Sequence, residues 1–290
     1  MAKSQLTQQT DLEEWLSEIE EIQSSFRPRE FKRYIPKSEF PEVDITIPDS
    51  VESPELAPLF DVHCGSDHQD VPLLNRHLDW IADTPNVFTW DGGDVTENVT
   101  DFKMGHTRLS NEEQVYLATK QLARVQHKLW FKLAGNHEDR TYKLSQTSSS
   151  KRIADNLKVP HFGGYCFCTI KWRGNKFRLL THHGAGGGTT PGAQRNSARK
   201  ELSWAKPDLL WSGHLHAPMA DTVFLTDVDQ KTGRVYERAA VVLISPSYIK
   251  YFGSYAEKSR MTPSLRGLSV CKLQEDGRID VVIHARGKRL

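Results

Sequence analysis

Leu12, Trp15, Leu16, Ile19 and Ile22 recur at helical spacing across residues 11–24, and Thr10 with Glu13 has the spacing of a capping box. The pattern then stops. Pro28, Pro36, Pro41, Pro48, Pro54 and Pro58 fall among many charges, which predicts an extended segment over the surface. From Leu59 short apolar runs alternate with helical patterns. Leu59-Phe60-Asp61-Val62-His63 reads as a strand end, Pro72–Asp83 as a helix with Leu74, Leu78 and Ile81 inward, and Val87–Trp90 as a strand. Asn111–Leu129 reads as the clearest helix, capped by Ser110, with Val115, Ala118, Leu122, Val125 and Leu129 on one side. Leu129–Leu133 is an apolar, strand-type run.

Beyond residue 160 the pattern becomes hairpin-like. Tyr165–Trp172 and Lys176–His182 flank the turn signal Arg173-Gly174-Asn175. Asp208–Ser212 and Ala239–Ser245 read as further strands, and Leu268–Leu273 with Ile279–Ala285 as a terminal hairpin. The order βαβαβ followed by mostly β predicts an α/β fold of two sheets face to face with helices outside. Residues 1–55 then form a helical and extended N-terminal appendage, and residues 56–290 the main domain. The N-terminal helix is expected either to dock on that domain or to mediate self-association.

Composition narrows the function classes. The 290 residues carry 38 Lys plus Arg against 37 Asp plus Glu, a net charge of +1, which argues against a bulk nucleic-acid coat or an acidic-membrane binder. Four cysteines form no C-x-x-C pair and read as buried thiols of a reducing compartment. The first residues lack the apolar core of a leader, and no stretch has membrane-spanning length. The expectation is a soluble, cytoplasmic protein.

Chemistry-bearing residues collect after the apolar runs. They are Asp61-Val62-His63, Gly93-Asp94, Gly135-Asn136-His137-Glu138, Thr181-His182-His183-Gly184 and Gly213-His214-Leu215-His216. Each alone is ordinary turn chemistry. Jointly, at the ends of successive strands, they place hard oxygens and imidazoles where open α/β sheets carry their sites. That donor mixture suits Mn²⁺ first, with Fe or Zn²⁺ also fitting, and disfavours a thiolate site.

This series resembles the calcineurin-like metallophosphoesterase superfamily over roughly residues 57–290. The resemblance implies a four-layer α/β/β/α sandwich with two divalent metal ions. It implies that Asp61, His63 and His216 hold the first, and that Asn136, His214 and one of His182 or His183 hold the second, with Asp94 bridging. Ala185-Gly186-Gly187-Gly188 resembles a phage-type form of the histidine motif and favours His183, with His182 as the alternative. His137 resembles the family's general acid, oriented by Glu138. Ser245–Lys250, Ser254–Lys258 and Thr262-Pro263 resemble phage and bacterial members of unassigned substrate. Gly93–Val99 lacks the Arg usual in the protein phosphatase branch, so that activity is disfavoured.

The implied function is hydrolysis of a phosphate ester, as a phosphodiesterase or nuclease on nucleic acid or nucleotide. A small-molecule phosphomonoesterase is the alternative. A non-catalytic scaffold is disfavoured, because such members typically lose ligands or the acid and this chain keeps every motif. Gly187, Gly188 and Arg195 are candidate phosphate contacts, the glycines through backbone amides. Lys200 reads as a solvated helix face. Asp67 and His68 in the first loop are candidates to reach substrate, and His106 and Arg108, before the long helix, are weaker ones. Trp90, Trp130 and Trp211 are expected in the core.

Overall fold

Two largely apolar runs, Val87–Asp91 and Leu129–Leu133, lie in the middle of a sheet covered on both faces, and all ten positions are buried. The computed structural model describes residues 2–99, 107–186, 188, 190–254, 257 and 263–285. In chain order its elements begin α1 (Ala2–Ser24), β1 (Lys32–Tyr34), β2 (Glu42–Thr46), β3 (Glu55–Leu56), α2 (Val71–Asp83), β4 (Val87–Asp91), α3 (Asn111–Ala123) and β5 (Leu129–Leu133). There follow α4 (Asn136–Ser145), α5 (Ser149–Asn156), β6 (His161–Phe162), β7 (Tyr165–Trp172), β8 (Asn175–His182) and α6 (Pro191–Arg199). The chain closes with β9 (Leu209–Ser212), β10 (Met219–Val228), β11 (Val235–Ile244), β12 (Gly267–Leu273) and β13 (Ile279–Ala285).

A seven-stranded sheet has the order β1-β2-β7-β8-β9-β11-β10, and a six-stranded sheet the order β13-β12-β3-β4-β5-β6. Between them lies a core in which Ile45, Trp90, Trp130, Leu179 and Trp211 are all buried. Trp90 stacks on Trp130 within its sheet (5.8 Å between centroids, 13° between planes) and meets Trp211 of the facing sheet edge-on at 5.3 Å. The outer face of the six-stranded sheet packs on α2, α3 and α5 through Leu74, Leu78, Val115, Leu122 and Ile153. On the far side, Ala198 of α6 meets Leu180, Leu210 and Val242 of the seven-stranded sheet. The layers are α/β/β/α, as expected.

Several boundaries differ from the sequence reading. The proline-rich stretch is not a surface segment throughout. β2 pairs in parallel with β7, β1 pairs with β2, and Val43, Ile45 and Ile47 are buried. A division at residue 55 therefore cuts the sandwich itself. Pro41 and Pro48 flank this strand and do not interrupt its ladder, which is where proline is tolerated. Only α1 stands outside the sheets, and its Trp15 ring packs 5.7 Å from Tyr116 of α3 with the Arg152 guanidinium over it. The helix thus docks on the main body. α3 ends at Ala123, and a short 3₁₀ turn, Gln126–Lys128, leads into β5, so Leu129 belongs to the strand alone. α4, α5 and β10 carried no signal that the sequence reading used.

The β7–β8 turn forms as expected, with Arg173 and Gly174 at φ of 45° and 77°. Among the described residues no helix is long and apolar enough to cross a membrane.

Lys132 interrupts the apolar β5 run for a reason visible only across strands. Its Nζ lies 2.6 Å from Asp91 Oδ2 at the end of β4, with both side chains wholly buried. Asp91 Oδ1 also accepts the Gly93 amide at 2.8 Å, so the pair anchors the loop that follows β4. Lys132→Met leaves a lone buried carboxyl and is expected to lower unfolding free energy by about 3–5 kcal/mol. Urea denaturation checks this, and Asp91→Asn added to Lys132→Met should recover part of the loss.

Candidate metal centre

The site is assembled at one edge of the sandwich by strand direction. β8, β9 and β11 run parallel, so His182-His183, Ser212-Gly213-His214 and Ser245 leave the sheet at the same end. In the facing sheet β4 and β5 are also parallel and end in Asp91–Asp94 and Gly135–Glu138. Asp61 and His63 lie just beyond the bridge of Leu59 to Asp91.

Close approach dictates the residue types around the donors. A Cβ on Gly135 would stand 2.1 Å from Asp94 Oδ1, and one on Gly213 would stand 2.5 Å from Asp61 Oδ2. Only glycine lets these turns pass so near the carboxylates. Asp61, His63, Asp94, His214 and His216 all have positive φ, between 51° and 66°. Such backbone costs of order 1–3 kcal/mol per residue, and its concentration on five donors marks a site whose geometry the surrounding fold imposes.

Two groups of donors converge. Asp61, His63 and His216 form the first, with His216 Nε2 3.1 Å from Asp61 Oδ1 and 3.4 Å from His63 Nε2. Asp94, His183 and His214 form the second, with His183 Nε2 3.1 Å from Asp94 Oδ2. Asn136 Oδ1 joins it at 3.1 Å from His183 Nε2 and 2.8 Å from His214 Nδ1. The groups adjoin, since His183 Nε2 is also 3.9 Å from Asp61 Oδ1. Fully buried carboxylates this close together, facing imidazole nitrogens and an amide oxygen, form a donor set that fits divalent cations. No thiol takes part: Cys64 Sγ donates to Gln121 Oε1 at 2.7 Å.

Neighbours orient the donors. His183 Nδ1–H donates to the Gly92 carbonyl at 3.1 Å, which leaves Nε2 facing the centre. His214 donates from Nε2 to the Gly186 carbonyl at 2.9 Å and so presents Nδ1. His63 Nδ1 stands 2.9 Å from Glu97 Oε2. Partners of this kind fix ring orientation and tautomer in metal sites. The His137 ring lies edge-on to His63 at 4.6 Å, with Nε2 3.8 Å from Asp94 Oδ2, and its Nδ1–H donates to the Glu97 carbonyl at 2.7 Å.

Glu138 makes no hydrogen bond to the His137 ring and acts on its position through the backbone. Its carboxylate accepts from the amides of Asp94 (2.9 Å), Thr96 (3.1 Å) and Gly135 (2.8 Å), so it pins the two donor loops to each other. Glu97 contacts His137 instead, and it was not singled out in the sequence. Its burial opposite two histidines is a tertiary fact that its place in Gly-Gly-Asp-Val-Thr-Glu-Asn does not announce.

The electrostatics follow from this packing. Burial pushes the Asp94 carboxyl up, but His183 and His137 outweigh it and hold the group well below the usual carboxylate range. Asp61 is likewise lowered, burial being offset chiefly by His216. Burial alone would depress His63 and His183, yet Glu97 raises His63 to about 9, and Asp94 raises His183 to about 10. Burial lowers His137 and His214.

The remaining candidates lie apart. His182 points away from the donors, with Nε2 3.6 Å from Glu201 and its ring against Tyr165 at 5.0 Å. Arg195 faces Asp221, Nε to Oδ2 3.4 Å, and is more than half exposed. Gly188 packs on Ala193 at the start of α6, and a Cβ there would stand 3.0 Å from the Ala193 Cβ. Gly187 and His106 lie outside the described residues, and Asp67, Arg108 and Lys200 are exposed.

Two outcomes are expected. His183→Ala should abolish tight metal binding and His182→Ala should leave it, as read by elemental analysis after gel filtration. Glu97→Gln should weaken metal affinity about 10–100-fold by competition titration, the usual effect of losing an outer partner.

By sequence the chain matches no family model and no curated protein. Its backbone is similar to that of Yfce, a phosphoesterase from E. coli, at 17% identity over 79% of this chain and 98% of that one, TM-score 0.41. It is also similar to Vacuolar Protein Sorting 29 from Cryptosporidium parvum, at 14% identity over 81% and 99% of the two chains, TM-score 0.39. Pseudomonas putida nuclease MPE aligns at 13% identity over 78% and 87%, TM-score 0.33. Two sheets face to face, helices on both outer sides and His, Asp and Asn donors at the parallel strand ends agree with the four-layer fold expected from the motif series.

Proposed function

We propose that the protein is a metal-dependent phosphodiesterase or nuclease that hydrolyses a phosphodiester of a nucleic acid or nucleotide with two divalent cations, Mn²⁺ first among them. The observation that carries this reading is the pair of adjoining donor groups, Asp61/His63/His216 and Asp94/His183/His214 with Asn136. Asp94 is the residue suited to bridge them. Cations held there supply Lewis-acid polarisation of a phosphoryl group and lower the pKa of water from about 15.7 towards 7.

The chain's own residues supply the rest. With its Nδ1–H given to the Glu97 carbonyl, His137 aims Nε2 into the centre beside Asp94. Burial lowers its affinity for a proton, so a proton held at Nε2 is readily given to a leaving alkoxide. Glu138 keeps the Asp94 and Gly135 loops in register, which holds His137 N on Asp94 Oδ1 at 2.8 Å. The presence of every donor and of His137 favours an enzyme over a scaffold.

Metal-stripped protein resupplied with Mn²⁺ should hydrolyse bis-p-nitrophenyl phosphate faster than p-nitrophenyl phosphate, and Asp94→Asn should remove the activity. His137→Ala should cut turnover about 10²–10⁴-fold at unchanged metal content. Turnover of neither ester by metal-loaded protein, or loss of metal in His137→Ala, would overturn these assignments.

A further inference from the structure

The segment after β11 continues along the rim of the metal centre. Ser245 N donates to Ser212 O at 2.8 Å, at the edge that carries His214. The chain then follows the loop of the first donor group. Tyr248 N donates to Asp61 O at 3.1 Å, Asp70 N to Tyr248 O at 2.7 Å, and Lys250 N to His68 O at 2.8 Å. Gln69 and Ile249 form an antiparallel bridge. Gly253, at φ +84°, lies against the His68 imidazole, where a Cβ would stand 3.2 Å from Cε1. That close approach pins the far side of the loop.

Between these anchors Phe252 is turned outward. It is 78% exposed, stands edge-on to Tyr251 at 5.2 Å, and follows the exposed Lys250. A lone exposed aromatic is unremarkable on a protein surface. This one sits on a hydrogen-bonded loop, four residues after Tyr248, whose amide donates to the Asp61 carbonyl, with Lys250 two positions before it. An exposed aromatic face on a loop that also carries a lysine, bonded through its backbone to the loop of the first donor group, has the chemistry to hold a nucleobase and its phosphate.

We infer that Phe252, backed by Tyr251 and flanked by Lys250, is a stacking subsite for the nucleobase of a nucleotide-type phosphodiester. The inference rests on the proposed phosphodiesterase reading and names its substrate class. Charge supports stacking as the source of affinity. With 38 basic against 37 acidic residues the chain has little bulk positive field for holding a phosphate backbone through counterion release. Any base presents a π-face, so the subsite reads nucleoside against non-nucleoside esters and leaves base identity open.

The test uses full-length, Zn²⁺-loaded protein and the fluorescent probe 2-aminopurine riboside 5′-phosphonate, in which carbon replaces the 5′ ester oxygen. Wild-type protein should quench the probe on binding. Phe252→Ala should raise Kd about 5- to 150-fold, the range for losing one stacked base. Phe252→Trp should restore affinity, and Kd for inorganic phosphate should stay within twofold in both variants. Equal Kd in wild type and Phe252→Ala, no quenching by wild type, or a parallel loss of phosphate affinity would overturn the subsite. In parallel, thymidine 5′-(p-nitrophenyl phosphate) and methyl p-nitrophenyl phosphate are compared. Phe252→Ala should raise KM for the thymidine ester and leave the methyl ester unchanged. Hydrolysis of neither ester by wild type would sink the phosphodiesterase reading, while the probe's Kd still decides the subsite.

Discussion

The structure depends on the burial of like charges at one edge of a sandwich. Asp61 and Asp94 are both removed from water, and the same imidazole nitrogen, His183 Nε2, lies 3.9 Å from one and 3.1 Å from the other. An uncompensated carboxylate in such a place would take up a proton. Here neighbouring histidines hold both carboxyls below the usual range, and backbone amides bond to them. His214 N donates to Asp61 and His137 N to Asp94, each at 2.8 Å. The sheets, loops and glycines can be understood as the framework that keeps these charges converged.

That framework works through close approach. Gly135 and Gly213 bring turns against the two carboxylates at distances no side chain would allow, and five donors have left-handed backbone. The strain persists because paired strands lead directly into the donor loops: β4 and β5 on one sheet, β8 and β9 on the other. Glu138 and Asp91 then tie the loops together. Glu138 spans the β4 and β5 loops through amides, and Asp91 is fastened to Lys132 and Gly93. Polar groups on these core strands are therefore part of the site's support.

The orientation of each ring matters as much as its presence. His63, His183 and His137 each have one nitrogen directed to an oxygen of Glu97 or Gly92, and the other turned inward. Adjacent residues can therefore have unrelated roles. His182 and His183 point to opposite sides of β8, the first toward Glu201 under α6 and the second into the donor group. Strand alternation makes this inevitable.

Much of this was legible in the chain. Apolar runs ending in Gly-Asp, Gly-Asn-His and Gly-His-x-His signalled strands that deliver donors, because strand ends are where a backbone can turn and a side chain can leave the core. The layered fold followed from βαβαβ order, and the three tryptophans read correctly as core. Less local features were hidden. β2 was masked by the prolines that flank it, and the end of α3 by apolar residues that serve a helix and a strand in turn. The part of Glu97 and the true contacts of Glu138 depend on residues about forty positions away, and the choice of His183 on which side of β8 faces the second sheet. The sequence by itself determined which chemical groups reach the strand ends, since residue type and period are local. Only the tertiary structure decided which of them meet, because pairing of strands and facing of sheets bring together donors that lie more than a hundred residues apart.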